Sequence, residues 1–566
     1  MLQTGYPSID KPWLKYYSVA AINSEPFNGS IYEHIKKKNI NCLGNYALQY
    51  FGKKITYKEM LDRADLIAQA LIREGVRRGD NVILLMSSCP ELVYLLLALN
   101  KIGAIANMIN PLFTEEQIKD RVNDTDANLM FVLDQLHRLT EHIFNDLCIK
   151  KMVVVPIINS MPIMTKHIAG IKLHKKIDYN NKLIRWNDFL RYGESVTIDL
   201  VNASELPAIV VYSSGTTGAS KGIVLTNKGI NSTIAHYEYT GFEYDRNWSY
   251  LQIIPTWFST GAVFCLFMPL CLGLCVILEP VFSKENFDKD IRRYKPNMIM
   301  GATSLWLYFL SNLKKKKMDL SFIKYPITGG EKILADTEIE LNDILKQCGC
   351  DVHMTTGYGM CELGSTASAT SVKYYKYGST GYPIKDVIIG AFDIETNREC
   401  KYKERGEIRV LTPSRMKEYY KRPDATEEFF WKDLEGREWG CTGDVGYVDE
   451  DGFVFVEGRA TDYFTTASNE RIYNFDIENV ILKIKAVEQC EVVGRKNPNG
   501  YEESFAFVLL KEVADASAVI DEINKICNKE LKPEQVPVKI KVINEFPVKP
   551  SGKRNMEQLI QIASEE

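Results

Sequence analysis

Residues 209–222 read IVVYSSGTTGASKG. An apolar, mostly β-branched tetrad runs directly into Ser213, Ser214, Gly215, Thr216, Thr217 and Gly218, and a single cation, Lys221, stands at the exit. Small residues let backbone N–H groups approach phosphate oxygens closely, hydroxyls add donors, and the ammonium adds positive charge. The composition therefore specifies a grip on phosphate. A flexible Ser/Gly linker fits less well, because linkers seldom sit flush against a buried-strand pattern. The spacing is not that of a Walker loop, in which Ser or Thr follows the lysine and binds Mg²⁺; here Gly222 follows Lys221.

Further short runs follow in order: TGGEKI at 328–333, TGYGMCE at 356–362, CTGD at 441–444 with GRATD at 458–462, and PVKPSGK at 547–553. Each is weak evidence alone. The aspartate of a TGD turn ordinarily caps that turn, and a Gly-Lys near a C-terminus is ordinarily surface. Cys348, Cys350 and His353 fall together in CGCDVH, but no fourth ligand is evident, so structural side chains rather than a metal site are expected.

The elements that must position these runs alternate in α/β fashion. TYKEMLDRADLIAQALIREGV has helical apolar spacing, NVILLMSS reads as a buried strand, and residues 91–110 as a helix leading into a strand; residues 115–147 repeat the alternation with NLMFVLD as strand. Residues 159–192 read as irregular and loop-rich. The phosphate run follows a strand over 208–212, where α/β sheets place ligands. A second unit spans 248–351, with strands in YLQIIP, LCVILEP, PNMIMG and IKYPITGG. From 378 to 457 short alternating strands predict antiparallel structure. Beyond Arg459 come a helix over 475–485, strands EQCEVVGR and SFAFVLL, and a helix over 518–532. The expected fold class is α/β: a large N-terminal domain of doubly wound sheets (1–461, its β-rich subdomain from about 378) and a mobile small α+β C-terminal domain (462–566).

Composition excludes several classes. Of 566 residues, 45% are hydrophobic and 25% charged, and the net charge of −4 gives no global pull toward nucleic acid. The basic runs at 36–38 and 314–317 lack interleaved aromatics and read as solvated loops. Thirteen cysteines without a CxxC pair argue for a reducing compartment, and the N-terminus shows no secretory pattern; a cytoplasmic protein is expected. Residues 262–278 carry no charge, yet Pro269 and Gly273 interrupt them and basic flanks are missing, so they read as a buried helix and strand and not as a transmembrane segment.

In this order and at these separations the five motifs closely resemble the adenylate-forming superfamily of acyl-CoA synthetases, nonribosomal-peptide adenylation domains and luciferases, over nearly the whole chain. The resemblance implies that Ser213 to Gly218 and Lys221 hold the β- and γ-phosphates of ATP. It implies that Gly330, Glu331 and Lys332 line the adenine pocket, that Tyr358, beside Gly359, stacks on the purine, and that Glu362 binds Mg²⁺. Asp444 would accept from the ribose hydroxyls, with Arg459 nearby. Lys553 would bridge the attacking carboxylate and the α-phosphate, offsetting the repulsion of two approaching anions most strongly in the transition state. The implied reaction makes an acyl-adenylate and pyrophosphate, then passes the acyl group to CoA or to a pantetheinylated carrier protein. The small domain would rotate about Asp462 between the halves.

The chain departs from the family pattern at four positions. Cys361 stands where threonine is usual, and Thr461 where lysine is. Asn469 and Asn474 stand where relatives have glycine and proline; the Asn469 side chain would narrow the path of the thiol arm, so slower transfer or a different acceptor is expected. Amino-acid-activating relatives carry an aspartate in the region matching PTWFSTGAVF (255–264), which has none here, and an unpaired buried ammonium is costly. Trp257, Phe258 and Gly261, with Gly330, therefore suggest a pocket for an alkyl or aryl carboxylate, fatty acid first and aromatic acid second. Loading of an acyl-carrier protein, and a catalytically weakened adenylate-binding protein, are the alternatives.

Overall fold

The computed structural model describes residues 4–173, 177–191, 202–212, 220–280, 282–511, 515–547 and 554–566. Local signals set the elements. Thr56 accepts from the Glu59 N–H while the Glu59 carboxylate accepts from the Thr56 N–H, a capping box that starts the helix Tyr57–Arg73. The helix Pro90–Ile102, PELVYLLLALNKI, is apolar all round and buried at every residue except Lys101. Such a helix has no solvent face and belongs in a core.

Two large sheets share that core. One runs Glu418–Tyr419, Gly222–Thr226, Pro207–Tyr212, Ile105–Met108, Asn81–Leu85, Leu129–Leu133, Lys151–Val155, Leu183–Arg185. Its strands are parallel from Pro207–Tyr212 onward, and the first two add antiparallel at the other edge. The other has nine strands, with parallel neighbours from Thr355–Tyr358 through Tyr325–Gly329, Met298–Gly301, Ser249–Gln252 and Cys275–Leu278 to Tyr46–Tyr50. An antiparallel sheet built on Glu438–Val448 follows, as the 378–457 pattern predicts. The last part of the chain forms a separate three-stranded sheet, Val487–Lys496, Glu502–Leu510 and Lys539–Val542, packed by Asn474–Ile481, Ala516–Glu530 and Met556–Glu565.

Some expectations need correction. Residues 159–192 are not mainly loop: they hold the helix Ile163–Leu173, the strand Leu183–Arg185 and the helix Trp186–Leu190. The first was illegible because it turns Ile163, Met164 and Ile168 outward, so its apolar residues mark no core-facing stripe. The basic run 36–38 is not a loop but the last turn of Ile31–Asn39, and Lys314 and Lys315 end the helix Thr303–Lys315, where cations complement the helix dipole; Lys316 and Lys317 lie beyond it. The uncharged stretch is a buried π-helix, Thr260–Phe267, then Met268–Leu272 closed by Gly273, and the strand Cys275–Leu278. Among the described residues no helix is long and apolar enough to cross a membrane. Cys348 and Cys350 pack in a second core, His353 stacks on Tyr375, and no cluster of three or more metal-ligating side chains occurs among the described residues.

Glu338 joins the α/β part to the β-rich part. Its Oε2 accepts from the Gly378 N–H at 2.9 Å, while Oε1 is buried without a hydrogen bond, 3.9 Å from His353 Nε2. Burial pushes its carboxyl from the usual 4.5 up to about 7. The folded state thus holds this proton more tightly than the unfolded one, and stability falls as pH rises from 4.5 through about 7. Glu338→Gln, which keeps an acceptor for Gly378, is expected to melt higher than wild type at about pH 8 and to converge with it below about pH 5 in thermal-unfolding scans.

Candidate active site

Residues 414–420 hold two of the motifs together. Tyr420 N–H donates to Gly222 O at 2.7 Å and Lys417 N–H to Val224 O at 2.8 Å, fixing the strand that leaves the phosphate run. Met416 N–H donates to Glu362 O at 2.7 Å. Between them, the Tyr419 hydroxyl donates to Glu362 Oε1 at 2.8 Å, and its ring lies under Lys221 Nζ, 4.8 Å from the centroid. Lys221 and Glu362, 141 positions apart in sequence, thereby face one cleft. Gly359 lets the chain turn into Glu362: a Cβ there would lie 1.9 Å from Ser365 O.

A second group forms across the ladder of Glu438–Val448 and Val454–Arg459, which pairs Asp444 with Arg459. Arg459 Nε lies 3.1 Å from Asp444 Oδ1, and the Tyr358 hydroxyl donates to Oδ2 at 2.6 Å. Burial pushes the Asp444 carboxyl up, against the opposing pull of Arg459 and Tyr358. Gly330 and Glu331 follow the strand Tyr325–Gly329, and Glu331 accepts from Ser304 N–H and Oγ–H. Lys332 also lines the cleft, but its ammonium donates to Glu457 O at 2.8 Å and to Asn479 Oδ1 at 2.9 Å. Arg405 pairs with Glu457 and, through two N–H groups, with Asp476 on the same helix as Asn479. These contacts dock the helix Asn474–Ile481 against the rest of the chain.

The cleft encloses about 2560 Å³. Ser213 to Gly218 and Lys553 lie outside the described residues. Arg554, Met556, Glu557 and Ile560, which follow Lys553, line the cleft, as do Thr461, Asp462 and Cys361. Arg554 is held by Glu491 and Gln489, both at 2.8 Å. Asn469 takes the left-handed conformation, φ 62°, expected of an asparagine at a glycine-like position. Asn474 N–H donates to Asp462 O at 3.0 Å, and its side-chain Oδ1 is buried without a partner.

The acid-pocket expectation is corrected in part. Phe258 lines the cleft, but Trp257 and Gly261 do not. Gly261 is pressed against backbone, where a Cβ would fall 2.0 Å from Pro255 O, and Trp257 packs into the core. The π-helical start of Thr260–Phe267 changes which side chains turn inward, and that register is invisible in an all-apolar run. Tyr237, Phe242, Met298, Met300 and Tyr325 line the cleft as well and were missed, because each reads as ordinary core at its place in sequence.

The family model for AMP-binding enzyme matches residues 39–420, and that for the AMP-binding enzyme C-terminal domain matches residues 476–553. The chain belongs to the AMP-binding enzyme family. This AMP-binding enzyme is 25% identical to the long-chain-fatty-acid–CoA ligase of Bacillus subtilis (strain 168) over 572 residues, covering 98% of each chain. It is 24% identical to 4-coumarate–CoA ligase 4 of Arabidopsis thaliana, over 85% of this chain and 81% of that one. The fold is that of the anthranilate CoA ligase AuaEII in complex with anthranoyl-AMP, with a TM-score of 0.80, 22% identity, and coverage of 95% and 98%.

Tyr419→Phe removes one buried hydrogen bond and is expected to cost about 1 kcal/mol in chemical unfolding. Tyr419→Ala also removes the ring beneath Lys221 and should cost about 3 kcal/mol or more.

Proposed function

We propose that this AMP-binding enzyme activates a hydrophobic carboxylic acid with ATP, releasing pyrophosphate, and passes the acyl group to CoA. The carrying observation is that Lys221, Glu362, Tyr358 and Arg459, the last two both bonded to Asp444, line one cleft with an aromatic pocket. Membership of the family and the acyl- and aryl-CoA ligases among its relatives support the same reading.

In this reading the phosphates lie along Ser213 to Gly218 and Lys221. Tyr358 backs the purine, and Asp444 exchanges its present partners for the ribose hydroxyls. Glu362 suits Mg²⁺: it is a hard, largely buried carboxylate whose Oε1 accepts from the Tyr419 hydroxyl. A bound Mg²⁺ would neutralise charge on the phosphate oxygens. Lys553 brings an ammonium to the carboxylate as it meets the α-phosphate. Residues 1–461 act as the AMP-binding part and residues 462–566 as the part that turns about Asp462. The segment after Lys553 lines the cleft while residues 465–469 do not, which fits the adenylating arrangement. The acid itself is alkyl or aryl, since Ile254, Phe258, Phe264 and Met300 give the cleft an apolar wall.

The test is ATP–pyrophosphate exchange over a panel of alkyl and aryl acids, followed by AMP release with and without CoA. Exchange with at least one acid and CoA-dependent AMP release are expected. Lys553→Ala should lower exchange about a hundredfold or more. Folded protein that exchanges with no acid would overturn the reading in favour of an adenylate-binding protein, and turnover only with a carrier protein would replace CoA as the acceptor.

A further inference from the structure

Two polar groups in the aromatic end of the cleft have no protein partner. The helix Asn227–Tyr239 carries His236, which lines the cleft and is only 9% exposed. Its Nδ1 accepts the Lys385 backbone N–H at 3.2 Å, which fixes the ring proton on Nε2. The ring stands edge-on to Tyr17, centroids 6.1 Å apart, and Nε2 makes no hydrogen bond within the protein. Burial, and then the Lys385 ammonium, pull the imidazole down to about 3, so it stays neutral at working pH and presents an N–H.

The second group is the hydroxyl of Tyr325, on a side chain likewise 9% exposed. Tyr325 begins the strand Tyr325–Gly329, whose far end runs into Gly330 beside the nucleotide-binding residues. Four steps of extended chain put it on the order of 13 Å from that end. His236 is linked to Tyr325 through a chain of ring contacts, His236–Tyr237, Tyr237–Phe242 and Phe242–Tyr325, with centroids 4.9, 5.6 and 4.5 Å apart, and both side chains line the cleft. Around them the wall is apolar: Phe264 lies 5.3 Å from Tyr237, with Met298 alongside. Beyond Tyr325 the lining becomes charged, with Lys324 and the Lys373–Glu243 pair.

A plain alkyl tail in this space would strip water from an N–H and an O–H and give nothing in return, which is unfavourable. We infer that the acid this enzyme activates carries a hydrogen-bonding oxygen, such as a hydroxyl, at the end remote from its carboxylate, and that His236 Nε2–H and the Tyr325 hydroxyl receive it. This rests on the carboxylate-activating reading above and narrows its substrate class from hydrophobic acids to ω-oxygenated ones. A site built to hydrogen-bond a substrate oxygen discriminates strongly against the analogue that lacks it.

The test compares ATP–pyrophosphate exchange for length-matched pairs: dodecanoic with 12-hydroxydodecanoic acid, and cinnamic with 4-hydroxycinnamic acid. The hydroxylated member of at least one pair is expected to have a kcat/KM about tenfold higher or more, expressed mainly in KM. Tyr325→Phe, which keeps the ring packing, should bring that ratio close to one, and His236→Phe should do the same. If the variant at His236 fails to fold, Tyr325→Phe decides. Wild-type enzyme that exchanges equally well or better with the unsubstituted acids would overturn the inference while leaving the proposed reaction intact. A preference that survives both substitutions would overturn the assignment to these residues. Absence of exchange with every acid would instead strike the underlying reading, and the inference with it.

Discussion

The hydroxyl of Tyr419 on Glu362 is the contact through which Lys221 and Glu362, the groups proposed for phosphate and Mg²⁺, are held in register. A phosphate loop and a carboxylate from distant parts of a chain have no intrinsic reason to face each other. Here the strand Glu418–Tyr419 pairs with Gly222–Thr226, the strand that leaves the loop, and Met416 binds the Glu362 carbonyl. One short edge strand therefore sets two chemically distinct groups at a fixed separation. Loss of its pairing would let each drift on its own sheet, since Glu362 follows the second sheet and Lys221 precedes a strand of the first.

The two sheets also explain why the cleft is both deep and aromatic. The parallel strands of the second sheet run toward the nucleotide side, so their C-terminal ends supply Gly330 and Tyr358. Their N-terminal ends supply Met298 and Tyr325, well away from the chemistry. In the proposed reading a single strand, Tyr325–Gly329, would carry acid recognition at one end and nucleotide recognition at the other. The geometry separates what is bound from where it reacts.

Docking of the last part of the chain depends on a few polar links rather than on a continuous apolar interface. Lys332, Arg405 and their partners Asn479, Asp476 and Glu457 are charged or amide groups at the edge of the cleft. Such contacts exchange readily for water or for other partners, as the proposed turning of residues 462–566 would require. The Asn474 N–H bonded to Asp462 O ties the proposed pivot to the first residue of the docked helix.

Much of the architecture was legible because it rests on local rules. Helical apolar spacing, buried β-branched runs and the motif order identify elements and family without any knowledge of contacts, and the strands around Asn81–Leu85 and Tyr325–Gly329 appear where the pattern puts them. The resemblance carried by the motif order named groups now found on the cleft, Lys221, Gly330, Tyr358, Glu362 and Arg459. What sequence left undecided is which way side chains turn once apolar character is everywhere. Trp257 and Phe258 are neighbours of like chemistry, yet one packs into the core and the other lines the cleft. His236 and Tyr325 likewise become partnerless donors only because helix, sheet and the Lys385 backbone meet around them. Hydrophobic pattern fixes burial; the direction of a buried side chain is set by packing between elements far apart in the chain.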